Sequence, residues 1–493
     1  VRVIFVAAEC EPWAKTGGLG DVVDALARSL GRIPAGPAYP VEVFLPRYRS
    51  VPTPADVTTG HDLAIDDPLA PGAVIRGRVL EVAVDGYRLR LVDLPAAFDR
   101  DGFYDHPDDP WRFAAFGRAV VAALRADAAA GIEPPAVIHL HDWHSCPVVL
   151  ERDAAGPADP VMGRAAIVLT LHNLAYHGWV PAAAVPQLGP VVAAAGIAPR
   201  GPGVDLLREG IRRAELVNTV SPTYAEQART PAFGFGLDGD LLARGDRFGG
   251  ILNGLDPDLW DPATDDALAA PYDRADPSGK AACRRDLLLR LGMDPLDDDP
   301  VLGAVGRLDP QKGFDLVVEA GPRLLARGVR LVVQAAGDPA IAAGLRALEA
   351  AHPGRVVFVE RFDRAMARRI YAGADALLVP SRFEPSGQVQ MIAMRYGTPP
   401  IAHATGGLVD SIADEHDHPG AGTGFLFRHP TAEGLAWACG EAAALRGDGT
   451  TPGWRALVDR GMAMDFDWRT GAAPAYAAWY ARAIALRERP PAA

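Results

Sequence analysis

One grammar, used twice, constrains this chain more than any other feature: an apolar run, a polar or Gly-rich loop, then apolar residues at helical spacing. Val1–Ala7 is the first run, and Asp21–Leu30 follows it with Val22, Val23, Leu26 and Leu30 on one helical face. Val41–Leu45 reads as the next strand, and Val74–Leu94 alternates apolar and polar residues around the hairpin dipeptide Asp85-Gly86. Phe113–Ala130 reads as a helix, Ala136–Leu140 and Ala166–Leu171 as buried strands. The second half repeats the pattern, with strands expected at Val301–Val305, Val329–Ala335, Val356–Val359 and Ala376–Val379. Helices are expected between and after them at Phe314–Ala326, Ile341–Ala350, Ala365–Ala372 and Val389–Tyr396. Strand alternating with amphipathic helix predicts βαβ units on parallel sheets, an α/β doubly wound class.

A chain of 493 residues exceeds what one hydrophobic core covers, so two domains are expected. The halves meet near Ile251-Leu252-Asn253-Gly254-Leu255-Asp256. Two doubly wound domains facing each other form a cleft, and ligands of such sheets sit beyond the carboxyl ends of the strands. With 49 basic and 62 acidic residues, a net charge of −13 and no Lys/Arg run, a nucleic-acid partner is not expected. The opening Val1–Ala8 is interrupted by Glu9 and Glu11 too early for a signal peptide, and no apolar run approaches the roughly 20 residues of a membrane helix. Cys10, Cys146, Cys283 and Cys439 lie far apart, which fits reduced thiols in the cytoplasm.

The chemistry-bearing residues gather where strands end. Lys15-Thr16-Gly17-Gly18-Leu19-Gly20-Asp21 combines a cation with glycines that let backbone approach a ligand, at a helix start that attracts anions. Its spacing fits neither the dinucleotide fingerprint nor the P-loop. His139-Leu140-His141-Asp142-Trp143-His144 raises a metal site, but alternate strand residues face opposite ways and no second His/Asp cluster completes one. Polar lining with a hydrogen-bonded core histidine is the stronger reading. His172-Asn173 follows the strand ending at Leu171 and is placed to hydrogen-bond a ligand. Arg307 and Lys312 lie five apart across a loop that precedes a helix, an arrangement suited to a diphosphate. In Pro380–Gly387, Pro and Gly bracket Glu384, a carboxylate suited to sugar hydroxyls or to transient positive charge on an anomeric carbon, and Ser386 is expected to cap the next helix. Thr405-Gly406-Gly407 adds a flexible backbone surface after the strand around Ile401.

Taken in order, Lys15–Asp21, His141–His144, Leu171–Asn173, Ile251–Asp256, Gly306–Gly313 and Ser381–Pro385 resemble the bacterial glycogen synthases and plant starch synthases, retaining glucosyltransferases of family 5 with the GT-B fold. The resemblance spans nearly the whole chain. It implies two Rossmann-like, doubly wound parallel-sheet domains facing across a cleft: residues 1–252 on the acceptor side, 253–470 on the nucleotide-sugar side, and a tail helix in 471–493 crossing back onto the first. It implies transfer of glucose from ADP-glucose to the non-reducing end of an α-1,4-glucan such as glycogen, with no metal and no cofactor beyond the donor.

By the same resemblance Lys15, Arg307 and Lys312 hold the diphosphate, His172 contacts the transferred glucose and Glu384 sits beside the reacting sugar. Gly18 gives backbone to the donor, Asn173 and Asn253 hydrogen-bond nearby, and Ser386 and Gly387 meet sugar or phosphate oxygens. Phe362 lies against the adenine and Asp21 serves the acceptor; Thr405 and Gly406 count with the substrate-binding residues. Where the family usually reads Glu-Pro-Cys-Gly-Leu-Thr-Gln, this chain reads Glu384-Pro385-Ser386-Gly387-Gln388-Val389-Gln390. Two other readings stand beside this one: a glucan- or nucleotide-sugar-binding relative without turnover, and a metal-dependent hydrolase resting on the His139–His144 cluster alone.

Overall fold

The first apolar run becomes strand β1 (Val3–Val6), buried at every residue. Four consecutive β-branched or aromatic side chains suit a strand covered on both faces. The computed structural model describes residues 1–33, 39–52, 56–70, 72–197 and 203–488. The chain separates into two units, one of residues 1–220, 225–251 and 468–493, the other of 221–224 and 252–467.

In the first unit β1 is joined by β2 (Val41–Pro46), β3 (Thr58–Asp66), β4 (Val74–Val84), β5 (Tyr87–Asp93), β6 (Val137–His141), β7 (Ala166–Leu171), β8 (Leu216–Thr219) and β9 (Phe248–Gly250). Their order is β9-β8-β7-β6-β1-β2-β5-β4-β3. Pairing is parallel from β9 to β5, and β4 and β3 then fold back antiparallel. The expected hairpin is present: Val84 pairs Tyr87 across Asp85-Gly86, with Gly86 at φ +93°. Helix α1 (Gly18–Leu30) starts three residues before the expected Asp21, because Gly17 in extended conformation already serves as its N-cap. Helix α2 (Asp109–Ala129) opens with a proline in its first turn, where the missing N–H costs nothing.

In the second unit β10 (Val301–Leu308), β11 (Arg330–Gly337), β12 (Val356–Val359), β13 (Ala376–Val379), β14 (Pro400–His403) and β15 (Phe425–Phe427) form an all-parallel sheet in the order β12-β11-β10-β13-β14-β15. Alternate residues of a strand point to opposite faces. Leu302, Ala304 and Leu378 accordingly feed one core with Val317 and Leu324 of α3 (Phe314–Leu325), while Val301, Leu377 and Val379 feed the other with Ile370 and with Met391 of α4 (Val389–Arg395). Helix α5 (Ala432–Arg446) covers the first of these cores through Leu435, Ala438 and Cys439. Strand β10 runs to Leu308 rather than stopping at Val305. Arg307 therefore sits on the strand end, paired in register with Ala336, and not in a loop.

Helix α6 (Ala472–Glu488) belongs to the first unit. Tyr480 Oη lies 2.8 Å from His139 Nδ1, Asn218 Nδ2 donates to Tyr476 Oη at 3.0 Å, and the Arg487 guanidinium donates to the Gly163 carbonyl at 2.8 Å. Residues 489–493 of the expected tail lie outside the described residues.

Candidate active site

The second unit builds its polar group from three strand-end loops. After β10, the Asp309 side chain accepts from the Lys312 N–H at 3.0 Å and folds one turn of 3-10 helix. Gly313 then takes φ +68°, where a Cβ would collide with the Pro380 carbonyl oxygen, so only glycine lets this loop lie against the loop after β13. The two loops are stitched together: Arg382 N–H donates to Gln311 O at 2.8 Å, Gln311 Nε2 donates to Phe383 O at 3.2 Å, and the Arg382 guanidinium grips Asp315 through two hydrogen bonds.

The result is a pair of side chains 72 residues apart: Lys312 Nζ lies 2.5 Å from Glu384 Oε2, and Ser381 Oγ donates to the same oxygen at 2.9 Å. Glu384 is buried at 5% exposure. A carboxylate with so little water needs such partners. The third loop stands behind it. Gly407 N–H donates to the Glu384 carbonyl at 3.0 Å, and a Cβ on Gly406, at φ +46°, would strike that same carbonyl. Thr405 and Gly406 are thus buried backing for the Glu384 loop rather than an open backbone surface.

Ser386 is not the cap expected of it. The loop turns through Gly387 at φ +71°, Gln388 takes the N-cap position of α4, and that position has no side-chain cap. Gln390 holds the turn instead, donating from Nε2 to Ser386 O and Gly387 O at 3.1 and 3.2 Å. Arg307 is 61% exposed with Asp309 3.5 Å away, so its charge is largely open to solvent. Asn253 is buried with its side-chain oxygen lacking a hydrogen-bond partner. Phe362 projects from the loop after β12 with its side chain 81% exposed.

In the first unit the glycine loop is organised by Glu9, which the sequence did not single out. One of its oxygens accepts from Thr16 N–H at 2.6 Å and Gly17 N–H at 3.1 Å, the other from Thr16 Oγ1 at 2.7 Å and Tyr104 Oη at 2.8 Å. Lys15 is not a loose charge: its ammonium lies 2.5 Å from Asp21 and 3.5 Å from Glu11. Open space surrounds the Cβ positions of Gly17 and Gly18.

Strands β6 and β7 place a histidine stack next to each other. His141 Nδ1 lies 3.0 Å from His172 Nε2, with rings 5.3 Å apart and nearly parallel. His139 contacts Thr170 Oγ1 at 2.7 Å and Tyr480 Oη at 2.8 Å, so both of its nitrogens are taken. Burial pushes the His172 ring down to about 3, and His139 and His141 well below the ordinary imidazole range. These rings are neutral at pH 7. Asp142, held at φ +54°, accepts from the His172 N–H at 2.7 Å and so fixes the backbone of His172. Burial raises its carboxyl to about 7. Asn173 turns its side-chain oxygen onto the Ala175 N–H at 3.0 Å. Among the described residues no group of three or more His, Cys, Asp or Glu is arranged to hold a metal ion.

Compared with known proteins, residues 2–243 match the starch synthase catalytic domain and residues 299–444 match the glycosyl transferases group 1. The chain is 38% identical over 495 residues to a glycogen synthase of Syntrophotalea carbinolica, covering 99% of each chain. It is 41% identical over 493 residues to one of Anaeromyxobacter sp., covering 97% of this chain and 99% of that one. The chain belongs to the glycogen and starch synthase family. The catalytic domain of starch synthase IV from Arabidopsis thaliana, bound to ADP and acarbose, superposes with a TM-score of 0.87 at 32% identity, over 98% of this chain and 99% of that one. This is the GT-B fold of two Rossmann-like domains, and the chain is a glucosyltransferase of glycogen-synthase type. A sucrose-phosphate synthase from Thermosynechococcus elongatus shares the fold alone, at TM-score 0.61 and 19% identity. Among the described residues no helix is long and apolar enough to cross a membrane.

Proposed function

We propose that this protein elongates an α-1,4-glucan from ADP-glucose with retention at the anomeric carbon. The observation that carries the site assignment is the Lys312–Glu384 pair, built at the ends of two neighbouring strands of the second unit. In the reaction the bond from the anomeric carbon to the diphosphate breaks and a bond to the acceptor oxygen forms on the same face. The departing phosphate oxygen takes the acceptor's proton. Charge builds on the diphosphate and, with opposite sign, on the sugar ring, so fixed charges lower the barrier more than a strong base would. Lys312, Arg307 and Lys15 are assigned to the diphosphate, which places that compensation on side chains rather than on a metal. Glu384 is assigned to the positive charge at the sugar, its own charge held in register by Ser381.

His172, neutral at working pH, is assigned as a hydrogen-bond partner of the transferred glucose and not as a charged acid. Asn173 and Asn253 are assigned to sugar hydroxyls, the latter with an unused buried oxygen to offer. Gly18 and Gly387 are given backbone contacts, with Ser386 beside them, and Phe362 offers an exposed ring to the adenine. Asp21 joins the acceptor side through Lys15. Thr405 and Gly406 serve the substrate through the Glu384 loop that they back. The relatives named glycogen synthases support glycogen as the acceptor, and the similar starch synthase bound to ADP supports an ADP-linked donor. Incubation with radiolabelled ADP-glucose and glycogen tests this: label in the polymer is expected, at a higher initial rate than from UDP-glucose. Unlabelled polymer would leave a binding protein without turnover.

A further inference from the structure

We propose that Gln334 is a positioning residue for the nucleobase of the donor, acting through Phe362; the inference rests on the donor reading given above. Gln334 lies on β11, in register with Val305 of β10 and Val359 of β12, near the carboxyl ends of all three strands. Ligands of a parallel sheet sit beyond those ends. Along the strand it shares a face with Val332, which belongs to the same core as Met366 and Ile370 of the helix Arg364–Gly373. A carboxamide at 2% exposure thus stands where the row it continues is apolar.

Only half of the amide is satisfied. Its Nε2 donates to the Asp363 carbonyl at 2.8 Å, while its Oε1 is buried without a partner among the described residues. An unpaired buried oxygen costs stability that an apolar side chain of the same length would not. What the amide does in return is fix Asp363, the N-cap of the helix Arg364–Gly373. The Asp363 side chain accepts from the Met366 N–H at 3.0 Å and its carbonyl from the Ala367 N–H at 2.9 Å. Gln334 takes the second lone pair of that carbonyl and so ties the helix start to the neighbouring strand. On the other side of the turn the Arg361 N–H donates to the Val359 carbonyl at 2.9 Å. Phe362 stands between these two anchors with its ring 81% exposed. A ring carried on a fixed turn loses less freedom when a flat base stacks on it than one carried on a loose loop. The larger face of a purine gains most from such a platform.

The test is calorimetric titration of ADP and of inorganic pyrophosphate into the full chain, with Q334M, F362A and the double variant beside the parent. Q334M keeps the length of the side chain and removes both polar atoms, so it is expected to melt at or above the parental temperature. Its Kd for ADP is expected to rise roughly 3- to 10-fold, while its Kd for pyrophosphate, which has no base, stays put. In the F362A background the same change should add almost nothing, because the ring it positions is gone. The KM for ADP-glucose should follow the Kd for ADP while kcat holds. Unchanged ADP affinity in Q334M, an equal loss for ADP and pyrophosphate, or additive losses in the double variant would overturn the inference. A parent that binds ADP yet transfers no glucose would retire the proposed function alone, and the same titrations would still decide the role of Gln334. A parent that does not bind ADP would overturn both.

Discussion

Lys312 and Glu384 face each other at 2.5 Å although 72 residues separate them, and the Ser381 hydroxyl donates to the carboxylate oxygen they share. The pair joins the side chain assigned to the leaving diphosphate to the one assigned to the sugar.

Replacing either member should therefore cost the reaction, and Lys312→Met should also lower stability because it takes a partner from the buried carboxylate. Glu384→Gln keeps the shape and removes the charge; Lys312→Met keeps the stem. Each is expected to lower kcat by about 10²- to 10³-fold, the usual effect of deleting one transition-state charge partner. Steady-state rates alongside circular dichroism melts check this, and kcat within threefold of the parent in either variant would remove the pair from the mechanism.

Gly406→Ala tests the backing of that loop. At φ +46° with the Glu384 carbonyl in the way, an added methyl must push the loop aside. The expected cost is about 1–3 kcal/mol in urea unfolding, together with a loss of kcat. Full activity at parental stability would show that the loop after β14 does not position Glu384.

The histidine stack makes a pH statement. Because His172 is lowered to about 3, and His139 and His141 are lowered too, the folded state binds fewer protons than the unfolded one below pH 6.5. Their contribution to stability is full above pH 6.5 and is lost as the pH falls toward 3. Asp142 acts in the opposite sense, since a carboxyl raised to about 7 favours the fold at low pH and loses that advantage between about pH 4 and pH 7. Asp142→Asn removes that opposition and should therefore steepen the loss of stability toward acid over that interval, read as the difference between variant and parent melting curves. In ¹⁵N-histidine NMR, His172 should show no titration between pH 5 and 8, whereas a midpoint near 6.5 would mean that it works as a charged acid.

Tyr480→Phe isolates the C-terminal helix. It removes the hydroxyl 2.8 Å from His139 Nδ1 and leaves a buried ring nitrogen without a partner. A loss of about 1–3 kcal/mol is expected, with kcat on short acceptors unchanged. No loss of stability would mean that the Tyr480–His139 contact does not help to hold α6.

Much of the fold was legible because parallel strands buried on both faces read as unbroken apolar runs, as Ala376–Val379 and Val356–Val359 do. Strand β3 was not: Thr58–Asp66 is mostly polar, and it is a strand because it pairs with the hairpin at the sheet edge. At the site, residue types could be read but their partners could not. Lys312 and Glu384 each stood out as strand-end residues, yet their contact depends on β10 and β13 being neighbours, which spacing along the chain does not encode. Glu9 went unseen because a carboxylate seven residues from its loop carries no local signature. Gly406 was read as open backbone, since nothing in the sequence says that another loop lies against it.

Glucosyl transfer from a sugar nucleotide with the anomeric configuration kept leaves its signature in the product. Proton NMR of the first product formed from ADP-glucose and maltotriose tests it most directly. A new α-1,4 anomeric signal is expected to grow from the start of the reaction, with ADP released in equal amount. A β-linked product, or free glucose with the acceptor left intact, would contradict it.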